Sequence, residues 1–106
     1  LGTIGASVCS GGGGGGAGAR GQNSAETSTG NTLTFADGGA GLAVDIIAVG
    51  TDVTFAAGGK GGDHDSSTAG IDGAANTGNG ASGGGGSGGS AGTGGSGIVV
   101  IRHKFQ

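Results

Sequence analysis

The chain has 106 residues, 33 of them glycine, a net charge of −3, three phenylalanines as its only aromatic residues, no proline and one cysteine. That composition excludes an ordinary apolar core, an internal disulfide framework and a basic, aromatic-interleaved surface for nucleic acid. No apolar run approaches the roughly 20 residues of a membrane-spanning helix, and the length fits a single domain, residues 1–106. Leu1 stands where an initiator methionine would, which reads as a processed or excised piece.

Residues 1–10 are mildly apolar, and Ile4, Val8 and Cys9 suit a short strand. Cys9 is expected to be a small buried residue rather than a nucleophile, because no base partner is evident. The first glycine run, 11–21, follows, with Gly12, Gly15, Gly18 and Gly21 in one register of three. Its letters contain G-x-G-x-x-G only because six glycines are consecutive, and no βαβ unit follows. Residues 22–31 form a polar turn region in which Asn23, Glu26 and Asn31 are candidate exposed binding residues.

Thr32 to Phe35 alternates polar and apolar residues and reads as a strand. Leu42 to Val49 is the most apolar segment; Gly50 interrupts it, and residues 51–55 resume a strand pattern. A hairpin or two bent strands are expected here. The large apolar residues of 33–55 should form the one hydrophobic cluster, with Ile98 to Ile101 as a buried partner strand.

Residues 56–80 return to glycine in shorter bursts, with Gly58 and Gly61 in one register and Gly59 and Gly62 in the next. Asn76 and Asn79, beside glycines, suit turns and are further candidate loop residues. Asp63, His64 and Asp65 make the only cluster of metal-ligand type. Gly58 to Asp63 also fits the start of the calcium-binding nonapeptide, but Asp65 replaces its large apolar residue and the motif occurs once rather than in tandem. A solvated loop is the expected reading, and no metal or cofactor is assigned. Serines lie in glycine tracts without a strand-turn-helix context, and no aromatic-lined pair of carboxylates is available. Catalysis is not expected.

Gly83 to Gly97 has a strict period of three. Gly83, Gly86, Gly89, Gly92 and Gly95 occupy one register, which we assign as the scaffold glycines. Gly85, Gly88, Ala91, Gly94 and Gly97 occupy the second, and Gly84, Ser87, Ser90, Thr93 and Ser96 the third. A strand repeats every two residues and an α-helix every 3.6. Three is the repeat of the left-handed polyproline-II helix, which makes no internal hydrogen bonds and rises about 3.1 Å per residue, so 15 residues would span roughly 46 Å. Without proline every residue keeps its N–H, and these donors must find partners on neighbouring rods. The expected fold is mostly irregular by standard assignment: a bundle of glycine-rich threefold helices with a few short β-strands and essentially no α-helix. A flexible glycine–serine linker is the competing reading.

Three stretches carry a family likeness: Ala6-Ser7-Val8-Cys9-Ser10-Gly11, Asp52 to Gly59, and the ending Gly94-Gly95-Ser96-Gly97-Ile98-Val99-Val100-Ile101-Arg102. In these the chain resembles the glycine-rich tail-fibre and adhesin domains of tailed bacteriophages. The resemblance implies a sandwich of polyglycine-II helices on a virion fibre, used in host attachment. Its partners would be other fibre subunits, as a homo-oligomer, and a host-cell receptor, with neither nucleic-acid binding nor membrane insertion. The tyrosine often following the final Ile-Arg is His103 here, and aromatic-bearing loops are missing, which favours a structural role. Glycine-rich ice-binding proteins and a glycine-rich extracellular ligand-binding module are the alternatives; both rely on disulfides, and Cys9 stands alone.

Overall fold

In a computed structural model of the chain, the described residues are 11–24, 36–63 and 66–105. The expected strands around Ile4–Cys9 and Thr32–Phe35, and the candidates Glu26, Asn31, His64 and Asp65, lie outside them. The described residues contain no helix and one two-stranded antiparallel sheet, β1 (Leu42–Ala48) and β2 (Thr51–Phe55). Leu42 pairs with Phe55, Ala43 with Thr54 and Val44 with Val53. A bulge then shifts the register before Ala48 meets Thr51. Gly50 supplies the positive φ, 78°, that a tight hairpin tip needs. This matches the hairpin expected from the LAVDIIAV and TDVTF patterns.

The remaining segments are extended and bond to one another rather than to themselves. We number them rod 1 (11–16), rod 2 (20–24), rod 3 (36–41), rod 4 (56–63), rod 5 (66–74), rod 6 (79–85) and rod 7 (89–97). Their backbone bonds recur every third residue. Gly11, Gly14 and Ala17 donate to Gly62, Gly59 and Ala56. Gly58 and Gly61 of rod 4 donate to Gly39 and Ala36 of rod 3. Gly80, Gly83 and Gly86 donate to Ala57, Lys60 and Asp63, and the constant offset in that series makes rod 6 parallel to rod 4.

Rods 5, 6 and 7 identify the helix type. Ser82 and Gly85 of rod 6 donate to Ile71 and Thr68 of rod 5. Gly92 and Gly95 of rod 7 donate to Ser82 and Asn79 of rod 6. Gly70 and Gly73 of rod 5 donate to Ser90 and Thr93 of rod 7. Each rod therefore bonds to both of the others. A β-strand directs its bonds to two opposite sides and cannot close such a triangle. A threefold helix directs them about 120° apart and can. Rods 1, 3 and 4 form a second triangle, closed by Gly39 donating to Gly14.

Close approach explains the glycine. A Cβ at Gly89, Gly92 or Gly95 would collide with the backbone carbonyls of Thr68, Ile71 and Ala74 in rod 5. Gly94 and Gly97, in another register, have open space beside them. Among the described glycines only Gly50, Gly78 and Gly88 have positive φ, and all three are in turns. The rods thus use glycine for its missing side chain and not for its conformational freedom. Ala36 is the one buried apolar residue among those described, so inter-rod hydrogen bonds, each worth about 1 kcal/mol net, replace a core.

Two expectations change. Residues 83–97 are not one 15-residue rod: the chain turns at 86–88, with φ of 104° at Gly88 and the Gly89 N–H closing on the Gly85 carbonyl at 2.8 Å. The scaffold register therefore divides into Gly83 in rod 6, Gly86 in the turn, and Gly89, Gly92 and Gly95 in rod 7. A three-residue turn preserves the phase, so periodicity alone does not reveal it. Ile98 to Ile101 is neither a strand nor buried: Ile98, Val99 and Ile101 are 47%, 87% and 84% exposed. It lies beside the hairpin, but its backbone makes no hydrogen bond to the described residues.

Candidate functional site at the hairpin end

The bond directions place the turns at two ends. Bend 17–19, the β1–β2 hairpin, turn 75–78 and the tail 98–105 share one end; turn 86–88, Asp63 at the end of rod 4 and Ser66 at the start of rod 5 share the other. At the hairpin end, Val44, Ile46, Phe55, Ala56, Thr77, Ile98 and Val100 line an open apolar groove of about 320 Å³. Ile98 and Val100 are alternate residues of an extended tail, which is why both reach one side. The expected meeting of the hairpin with the IVVI stretch therefore occurs, but as a surface groove rather than a core.

The groove floor is held by turn chemistry. Ala56 leaves β2 with φ of 55°, donating to Thr77 and accepting from Ala17, so its strained geometry is fixed by two neighbours. Asn76 has φ of 60°, a conformation asparagine tolerates. Its N–H donates to Ser96 Oγ at 2.9 Å, tying the turn to rod 7. Asn79 is half-buried, and its Oδ1 accepts from Ala57 N–H at 3.0 Å. It is a bracket between rods 4 and 6, not the exposed loop residue expected. Asn23 is exposed on rod 2, running away from bend 17–19, so Asn23 and Asn76 do not share a surface.

A second groove, about 260 Å³, lies beside rods 4, 5 and 6 and includes Lys60, Asp63, Ser66, Thr68, Ile71 and Ser82. Its hydroxyls already serve the fold. Ser66 Oγ donates to Thr68 Oγ1 at 2.6 Å, and Ser82 Oγ accepts from Ile71 N–H at 2.6 Å. Lys60 pairs with Asp37 across the surface at 3.4 Å. Among the described residues no three His, Cys, Asp or Glu side chains come together as a metal-binding group, and no helix is long and apolar enough to cross a membrane. Asp63 is half-buried, with its carbonyl accepting from Gly86. His64 and Asp65 lie outside the described residues.

Sequence reasoning missed the exposure of Ile98 to Ile101. The signal was present: Arg102, His103 and Lys104 follow directly on the β-branched run, and three consecutive basic or titratable residues belong at a surface. The groove lining was half legible, because Val44, Ile46 and Phe55 were assigned to an apolar cluster.

Rods joined every third residue, with hydroxyl-bearing and apolar loops at their ends, define a glycine-helix scaffold. The chain belongs to the glycine-rich domain family, whose model matches residues 2–104. No curated protein and no solved structure matches it.

Proposed function

We propose that the domain is a structural and adhesin module of a viral fibre, a rigid glycine-rod scaffold that presents its end loops to a host surface. The observation that carries this reading is the interlocked triangle of rods 5, 6 and 7, which fixes backbone geometry through hydrogen bonds between rods. Such a scaffold leaves its loop ends free to vary, and loops held on a rigid frame are where binding residues concentrate. Its place would be the virion exterior, its partners other fibre subunits and a surface receptor.

The test is binding of the fluorescently labelled protein to a panel of bacterial strains, with thermal hysteresis measured on the same sample. Strain-restricted binding, reduced by changes at Asn76, is expected, together with no hysteresis. Clear hysteresis, or no strain bound by the folded protein, would overturn the attachment role.

A further inference from the structure

We propose that the hairpin end is a self-complementary surface through which two copies of this chain associate, the tail of each lying on the hairpin of the other. The proposal does not depend on the viral reading.

Three observations lead to it. First, the large exposed apolar side chains concentrate here: Leu42, Ile47 and Val49 on the hairpin are 53%, 53% and 75% exposed, and Val99, Ile101 and Phe105 on the tail are 87%, 84% and 93% exposed. Contiguous apolar patches beyond a few hundred Å² are rare on a monomer's surface and mark interaction sites. Second, the tail is extended and rich in β-branched residues, yet its backbone N–H and C=O groups from Ile98 to Phe105 bond to none of the described residues. Among the described residues the neighbouring hairpin has only two strands, and no other described residue pairs with either outer edge. A sheet edge beside a strand-forming segment, neither paired by the described residues, is a template for pairing between chains.

Third, the charges are complementary. Asp45 and Asp52 lie on β1 and β2 at the bulge, whereas Arg102 and Lys104 lie on the tail. Among the described residues none of the four forms an ion pair; Lys60 with Asp37 is the pair present. Ile98 and Val100 already face the chain's own groove, which turns Val99 and Ile101 outward. An acidic apolar hairpin and a basic apolar tail on one end suit a twofold arrangement, in which hairpin meets tail and tail meets hairpin. Tail against tail, or hairpin against hairpin, would oppose like charges.

The experiment is sedimentation of the full chain under reducing conditions, which keeps Cys9 from cross-linking copies. At tens of micromolar the wild type should sediment with twice the 9.4 kDa chain mass. Asp45→Lys with Asp52→Lys makes both halves of the surface basic, and Arg102→Glu with Lys104→Glu makes both acidic. Each variant alone should dissociate at least tenfold more readily, and an equimolar mixture should recover the dimer, because basic hairpins then meet acidic tails. Val99→Asp with Ile101→Asp should give a monomer with unchanged amide protection in the rods. A wild-type monomer at every concentration, a charge variant that dimerises alone as well as the wild type, or a mixture of folded variants that stays monomeric would each overturn the proposal.

Discussion

At the residue scale the decisive property is whether a Cβ fits. Gly89 sits against the Thr68 carbonyl, and backbone cannot move aside as a flexible side chain would. Replacing Gly89 with Val should cost more than about 3 kcal/mol, the upper range of overpacking, and abolish the folding transition. Ser90 is exposed, so Ser90→Val should change stability by no more than about 0.5 kcal/mol. Thermal melts of the two variants make the comparison, and equal tolerance would remove the phased rod. Ala56 poses the opposite case. Its φ of 55° disfavours a side chain, and Ala56→Gly should raise stability by about 1 kcal/mol by relieving the left-handed strain, read as a higher denaturant midpoint. Asn79→Ala removes the acceptor of the Ala57 N–H and should cost about 1–3 kcal/mol if that donor is left unpaired.

At the element scale each rod is held by phase. In rod 7 the N–H groups of Gly89, Gly92 and Gly95 face rod 6, while the carbonyls of Ser90 and Thr93 receive bonds from rod 5. Inserting one glycine between Gly92 and Thr93 would rotate everything beyond it by about a third of a turn. Gly94 would then take the place of Gly95 against rod 5, and protection at Gly95 should be lost; the same insertion beside Gly50, at the hairpin tip, should leave the rods intact. Amide exchange separates the outcomes. The period of three was legible in the glycine spacing of 83–97, and the hairpin in its apolar runs broken at Gly50. The turn at 86–88 was hidden because Gly86-Ser87-Gly88 keeps the phase. The fate of Ile98 to Ile101 was hidden for a different reason: β-branched residues register strand propensity but not whether a partner edge exists within the chain. Asn79 illustrates the same gap at the candidate site, since its turn-like surroundings did not reveal that its side chain spans two rods.

At the scale of the whole molecule, backbone bonding in three directions takes over the role of side-chain packing. Ala36 is the buried apolar residue among those described, and carbonyls of one rod sit over glycines of the next, where weak Cα–H contacts add to the N–H bonds. Rigidity of this origin should depend little on apolar burial, so a small heat-capacity change on unfolding is expected for the chain's length. The most direct measurement is residue-resolved hydrogen exchange across 83–97 in the native state. The bonded amides of Gly83, Gly85, Gly89, Gly92 and Gly95 should exchange slowly, while those of Ser90, Ala91, Gly94 and Ser96, which have no such partner among the described residues, exchange fast. Uniformly fast exchange through the segment would contradict a lattice of mutually bonded glycine helices.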